Sequence, residues 1–506
     1  MDEFERRFKA AKQERAGRVE DDGYEVYKYC FNGREDEWLG KYGKNREPEE
    51  IFADMVADVA EDFYGDLFNT MTPENQDWVE YETGTAIPKE AEGQVADLMN
   101  ERAAKIDRAI KASNYYDEGP TAFQDAVFGT VALWVERYHL NQPIVCEAVP
   151  SSELYLRLSP FGIDDRFREV KYAYTDLEAL FPNAKWSKKL QDKIKAAKGS
   201  ATVVWGFWHD YTDPGNPIWL QRIRVDKEEI GLDEVLGEEG SMPLLVGRYN
   251  AVPRSPWGRG PARRMLPTLR TLDSLVEMNL ESMDHTLDPS IIYPHDGMLD
   301  LSEGLESGIG YPAMPGTAES IREIGGGNLD YGFFTEERIE ERIRNGFYRD
   351  MQQRGKTPPS ASQYMGEEQK TVRRMARPAG KLWSELGVSL VKRVEYIEVQ
   401  PGGSLVDSPF LMLDENKVIL RPISPLERAQ AREEVITAQG IMATAQESLG
   451  PEQAGLVIDG PKTMNNIKKV LKDKVVEFRS EDQIREIMQM AQAQQQPMGD
   501  PNAQQG

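Results

Sequence analysis

The chain has 506 residues, 40% hydrophobic and 29% charged, enough for two or more domains around a sizeable core. Acids outnumber bases 86 to 61, a formal charge of −25. That balance excludes duplex-DNA binding over the surface as a whole, because phosphate contacts rest on Lys and Arg. Two cysteines, Cys30 and Cys146, exclude a disulfide framework, lack metal-ligand spacing and point to synthesis in a reducing cytosol. The charged start, Met1-Asp-Glu-Phe-Glu-Arg-Arg, does not read as a signal peptide, and no apolar run is long enough to span a bilayer, so no membrane is expected.

In the first forty residues, Phe4, Phe8, Val19, Tyr24, Tyr27 and Phe31 among charges predict one or two amphipathic helices. Helical period continues over Glu49–Phe68, and a third helix is expected from about Glu90 to Ala112, before the turn-like Asn114-Tyr-Tyr-Asp-Glu-Gly-Pro120. Thr121 to Tyr138, with Phe123, Val127, Phe128, Val131, Leu133, Trp134 and Val135, is apolar on most faces and reads as a buried helix. From Pro143 the texture turns to strands: Ile144–Val149, Glu153–Leu158, Glu169–Tyr174, Thr202–Tyr211, Ile218–Val225 and Leu244–Tyr249. Short helices are expected between them at Thr175–Phe181 and Ser187–Lys198. The class is therefore α+β, a largely antiparallel sheet beside helices.

The breaker-rich run Arg254-Ser-Pro-Trp-Gly-Arg-Gly-Pro261 opens a helix on which Leu266, Leu269, Leu272, Val276, Leu280, Met283 and Leu287 form one apolar stripe. Pro289 and Pro294 stop it, and a Gly-rich excursion follows with Gly297, Gly304, Gly308, Gly310, Gly316 and Gly325–Gly327. Ile339, Ile343, Phe347 and Met351 then mark one face of a second helix. Two helices leading out to a small module and back predict a stalk. Beyond it lie a stiff basic loop, Arg354-Gly-Lys-Thr-Pro-Pro-Ser360, and a helical stretch from about Ala361 to Ile397, interrupted near Pro378-Ala-Gly380. Helix is expected again from Pro425 to about Met490, and a polar low-complexity tail, 491–506, reads as disordered.

No Gly-x-x-x-x-Gly-Lys-Ser/Thr loop is present, and Gly325–Gly327 runs into Asn328-Leu-Asp, an ordinary flexible turn. His139, His209, His285 and His295 are scattered, and neither cysteine stands beside a histidine. The sequence thus predicts no enzyme, no metal and no cofactor. Basic residues gather at Arg342, Arg344, Arg349, Arg354, Lys356, Lys370, Arg373, Arg374 and Arg377. From Arg344 onward these are the candidates for a phosphate-facing surface, although the same spacing fits an ordinary solvated helix face.

Several segments, in order, resemble the portal proteins, or head-to-tail connectors, of short-tailed bacteriophages. They are Leu67-Phe-Asn-Thr-Met-Thr-Pro73 with Trp78, Ala122-Phe-Gln-Asp-Ala-Val-Phe-Gly-Thr-Val-Ala-Leu133, and Val149-Pro-Ser-Ser-Glu-Leu-Tyr155 with Ser159-Pro-Phe-Gly-Ile-Asp-Asp-Arg-Phe-Arg-Glu169. Val252-Pro-Arg-Ser-Pro-Trp-Gly-Arg-Gly-Pro-Ala262 and Arg421-Pro-Ile-Ser-Pro-Leu-Glu-Arg-Ala429 complete the set, so that the resemblance covers about Glu50 to Arg485. It implies a homo-oligomeric ring of about twelve subunits at one capsid vertex, in the virion, with a central channel for double-stranded DNA. It further implies a wing (1–250), stem helices within 251–287 and 334–353, and a clip at 288–333. A tunnel loop at 354–362, a wing return at 363–424 and a helical crown at 425–490 follow. The implied partners are the terminase packaging motor, a tail adaptor protein, and the major capsid and scaffolding proteins. The stripes of the two stem helices would pack between subunits or serve as an intramolecular core. From the residues alone, an internal virion scaffold or core protein and a nucleic-acid-processing enzyme stay open as alternatives. The enzyme would need an ATP loop or an organised acidic metal cluster.

Overall fold

The computed structural model describes residues 2–40 (except 18 and 33), 51–79, 81–83, 92–137, 144–213, 217–237, 240–287, 291–294, 310–313, 329–349, 374–375, 378–406, 418–420, 425–450, 457–458, 463–464 and 467. The chain opens with α1 (Glu3–Ala16), α2 (Glu20–Cys30), the single turn α3 (Glu35–Trp38), α4 (Met55–Met71), β1 (Tyr81–Thr83), α5 (Glu92–Ala112) and α6 (Tyr115–Phe123). Strands β2 (Thr130–Glu136), β3 (Val145–Val149), β4 (Leu154–Ser159) and β5 (Gly162–Ala173) come next. They are followed by short helices α7 (Leu177–Leu180) and α8 (Lys188–Ala196) and by β6 (Ser200–Asp210), β7 (Ile218–Val225), β8 (Glu228–Glu229), β9 (Glu234–Gly237) and β10 (Leu244–Arg248). The long α9 (Pro261–Leu287) leads to β11 (Ile291–Pro294) and β12 (Gly310–Ala313), and α10 (Leu329–Gly346) leads back. A π-helical turn (Trp383–Gly387) runs into α11 (Val388–Val399), and β13 (Val418–Leu420) and α12 (Pro425–Leu449) end the described elements. Residues 1–424 form one compact unit; residues 425–506, which contain α12, form another.

The class is α+β with antiparallel sheets, apart from the parallel pair β11–β12 in the excursion. The largest sheet is a meander, β4-β5-β6-β7, whose far edge pairs with both β8 and β9. In β4 the inward Leu154 and Leu156 alternate with partly exposed residues, as at the edge of an antiparallel sheet, whereas β6 is buried without a break from Val203 to Trp208, covered on both faces. Helix α1 covers part of one face of the sheet. Phe4 and Phe8 pack on Phe167 and Tyr155, and Gly206 leaves the space that Phe4 fills, since a Cβ there would lie 2.7 Å from the Phe4 ring. Arg15 anchors the end of α1: it is 2% exposed, donates to the carbonyls of Ser151, Ser152 and Leu154, and pairs with Glu20.

A three-stranded sheet, β10-β2-β3, lies at the centre of the core. Here the expected buried helix over Thr121–Tyr138 is wrong. Only α6 and one 3-10 turn (Gln124–Ala126) are helical, and Thr130–Glu136 is a strand. The reason is physical: an apolar run on all faces fits a strand covered on both sides as well as a buried helix. Gly129, at φ +123°, takes a backbone conformation that no helix continues. One face of this sheet receives the π turn and α11, which approach so closely that a Cβ on Gly247 would meet Leu382 and Leu386 at 2.7 Å. Two buried arginines fasten that contact. Arg393 donates to the Val135 and Ser241 carbonyls, and Arg248 forms a fork to Glu385 while donating to Ser255 O at 2.7 Å. Burial pushes the Glu385 carboxyl up, but the Arg248 hydrogen bonds and charge, with Lys381, more than offset it and hold the group below its ordinary value.

The run that precedes α9 is threaded against residues 127–130. Gly260 N donates to Phe128 O (2.8 Å), Ala262 N to Val127 O (3.1 Å), Arg259 N to Tyr249 O (3.1 Å) and Gly258 N to Thr130 Oγ1 (3.1 Å). Trp257 is fully buried beside Phe128. A Cβ on Gly258 would stand 1.8 Å from Gly129 O, and one on Gly260 2.1 Å from Val127 O. Gly258→Ala and Gly260→Ala are therefore each expected to lower the unfolding free energy of the full chain by about 3 kcal/mol. Gly440→Ala, in α12 where a Cβ meets nothing, is expected to be neutral or stabilising by up to about 1 kcal/mol. Urea melts of the three variants check this; equal midpoints would contradict it.

Candidate functional site

The helices α9 and α10 form an antiparallel hairpin that leaves the core at its root. Gly346 sits against Met265, Arg264 donates to Gly346 O at 2.5 Å, and further out Asn279 packs on Gly332 and donates to Glu336 at 2.7 Å. The apolar stripe divides along its length. Leu266, Leu269 and Leu272 on α9, and Ile343 on α10 with Phe347 just after it, are buried, while Val276 and Ile339 are partly buried against the same core. Beyond them cover runs out: Met283 is half-buried and Leu280 is 49% exposed. Met278, Phe334 and Leu287 are also exposed, Leu287 at 80%. Met351 lies outside the described residues.

The root is held by aromatic packing. Phe63 of α4 meets Tyr249, Phe347 and Tyr348, and Asp273 of α9 accepts from the backbone N–H groups of Phe52 and Ala53 at 2.8 and 3.1 Å. The start of α4 is thus tied to the middle of α9. Its later turns are tied to the end of the hairpin by Arg349, which pairs with Asp62 (3.2 Å) and Asp66 (3.0 Å).

Of the basic candidates, three are described, and each makes contacts within the chain. Arg344 pairs with Glu340 one turn away, Arg349 with α4, and Arg374 donates to Asn345 O (3.2 Å) and lies over the Tyr348 ring. Arg354, Lys356, Lys370, Arg373 and Arg377 lie outside the described residues. A second arginine group escaped the reading of the sequence. Arg259, Arg263, Arg264 and Arg270 line an open cavity of about 460 Å³ at the root of α9. The signal was present, since Arg254, Arg259, Arg263, Arg264 and Arg270 fall within seventeen residues, but spacing across a loop and a helix start does not show which of them face one space.

Nucleophilic and metal chemistry find no seat among the described residues. Burial pushes the Cys30 thiol up, and that of Cys146 up to about 12, so both stay protonated. His209 is committed to Asp164 at 3.0 Å and stacks on Trp219; His139 and His295 lie outside the described residues. Among the described residues no group of three or more His, Cys, Asp or Glu could hold a metal ion, and no helix is long and apolar enough to cross a membrane.

The division of the stripe gives a measurable contrast. Ile343→Ala and Phe347→Ala are expected to cost the isolated chain about 3–4 kcal/mol of stability, because each empties a filled core site. Leu280→Ala and Leu287→Ala are expected to change it by less than about 0.5 kcal/mol. Denaturant unfolding under monomeric conditions distinguishes the two; an equal loss at Leu280 would mean that the outer half is also covered within the chain.

No curated protein matches the chain. The model of one family, Bacteriophage head to tail connecting protein, matches residues 1–471. With more than nine-tenths of its length inside that match, the chain belongs to the family of bacteriophage head-to-tail connecting (portal) proteins, structural rather than enzymatic parts of the virion at the junction of head and tail.

Proposed function

We propose that the chain is the subunit of a portal ring of a short-tailed bacteriophage, about twelve copies around a channel for double-stranded DNA at one capsid vertex. In this reading the helices within 251–287 and 334–353 are the stem, 288–333 the clip that meets the terminase packaging motor and later the tail adaptor, and 354–362 the tunnel loop. The body, 1–250 with the return at 363–424, is the wing beside the major capsid and scaffolding proteins, and 425–490 is the crown. Arg354, Lys356 and their basic neighbours supply transient phosphate grips. The net charge of −25 per copy keeps the rest of the channel from holding the duplex.

One observation carries the reading beyond family membership. The hairpin buries its stripe at the root and leaves Met278, Leu280, Leu287, Phe333 and Phe334 exposed further out, a run of large apolar side chains that a neighbouring stem covers when copies stand side by side. Negative-stain electron microscopy of the purified chain, with solution mass in parallel, is expected to show rings with a central hole and about twelve-fold end views. A compact closed oligomer without a hole would contradict the reading.

A further inference from the structure

The arginine-lined cavity at the root of α9 is out of character for a chain of charge −25. Arg263 is spent on Asp22 (2.7 Å) and on Gly258 O (3.0 Å), and Arg270 is held by both Glu25 oxygens at 2.6 and 2.7 Å. The other two have no carboxylate partner among the described residues. Arg264 faces a carbonyl and the Tyr348 ring, and the exposed Arg259 guanidinium has no ion-pair partner among the described residues. Four guanidinium groups thus line or rim a space that, among the described residues, two carboxylates serve, around an opening large enough for side chains.

The complementary charge is on α4. That helix contains no Lys or Arg. It buries Val56, Ala60, Phe63 and Leu67, and from the opposite face exposes Asp58, Glu61 and Asp62 in line with its N-cap residue Asp54. Asp54, Asp58 and Glu61 have no ion-pair partner among the described residues, whereas Asp62 is paired with Arg349, so three of the four carboxylates in the stripe along this face lack a partner within that set. Its height is fixed by the contacts already described. The start of α4 is tied to Asp273 and its later turns to Arg349, while Arg264 reaches Gly346. The stripe and the cavity therefore flank the same stretch of α9, from about residue 264 to residue 273. Surfaces that meet between identical copies of a ring must lie at one level along its axis, and a ring whose axis runs along the hairpin brings these two to one level.

We propose that the arginine-lined cavity of one copy receives the α4 carboxylate stripe of the next, and that this charged contact sets which side of the subunit faces its neighbour. The proposal rests on the ring reading. It assigns the occupant as a second copy of this chain rather than nucleic acid, because the acidic face has the charge and the place along α9 that the cavity calls for, and Asp54, Asp58 and Glu61 have no ion-pair partner among the described residues. Charge pairs at such a contact select partner and register more than they add raw affinity.

The test is a pair of charge reversals in the full chain, Arg259→Glu with Arg264→Glu, and Asp58→Lys with Glu61→Lys. Electron microscopy and solution mass are read under conditions where the unaltered chain forms rings. Each reversed chain alone sets like charges against like and is expected to stay monomeric, or to need at least about tenfold more protein to assemble. Mixed together, the two are expected to form rings, because the acidic cavity of one now faces the basic stripe of the other and the remaining contact is the original one. Ring formation by either reversed chain alone at the original concentration would overturn the proposal, as would failure of the mixture to assemble. Intact rings that have lost only the capture of a short duplex DNA would overturn it in favour of phosphate as the occupant. Absence of rings from the unaltered chain would instead count against the ring reading itself. Should a reversed chain melt early, Arg259→Ala and Asp58→Asn replace it; each must then move ring dissociation to lower salt, and no movement overturns the proposal.

Discussion

The backbone contact between residues 127–130 and 258–262 is the constraint on which the rest of the molecule depends. Two chain segments meet there at a distance that only glycine tolerates, with Gly129, Gly258 and Gly260 stacked on one another's peptide groups. Because Thr130 begins the central strand and Pro261 begins the long helix, this contact fixes the angle at which the hairpin leaves the body. Arg248 extends the lock. It reaches Ser255 O on one side and Glu385 on the other, so the sheet, the lead-in to α9 and the return helix are gripped by one guanidinium.

From that root outward the molecule changes character. Near the body the helices are held by core side chains, by Phe63 and Phe347, and by the hydrogen bonds that Asp273 accepts from the backbone of Phe52 and Ala53. Further out they hold mainly each other, through Asn279 and Glu336, and their remaining apolar side chains face outward. A rigid base with an uncovered outer half suits a part completed by its neighbours, since the base sets orientation and the outer half supplies area to bury. The charges follow the same plan. At the root, Arg263, Arg270 and Arg349 are paired with carboxylates, while Arg259, Asp58 and Glu61 have no ion-pair partner among the described residues.

Much of this was legible in the sequence. The hairpin was readable because Leu266, Leu269, Leu272, Ile339 and Ile343 keep the helical period, and the meander because its strands alternate or cluster apolar, β-favouring residues between turns. The family was readable because its segments occur in order. Two of them, Ala122–Leu133 and Val252–Ala262, face each other across the glycine contact, so the resemblance rested on residues with a physical task. The strand at Thr130–Glu136 was not readable, because an unbroken apolar run carries no period. Nor could periodicity tell Leu272 from Leu280: it identifies a face, while what covers that face depends on residues far away in the chain. The arginine cavity was hidden for the same reason. Arg259 and Arg264 are ordinary surface residues until α2 and the end of α10 close around them.

The central claim is that the root of the hairpin is fixed by the body while its outer half is completed only by neighbouring copies. Hydrogen exchange on the chain as monomer and as assembled oligomer tests it most directly. Amides of α9 up to about Leu272 and of α10 near Ile343 are predicted to be protected in both states. Those from about Met278 to Leu287 and around Phe333 and Phe334 are predicted to exchange quickly in the monomer and slowly in the assembly. Equal protection of the outer half in both states would contradict the claim, because it would show that the single chain already covers it.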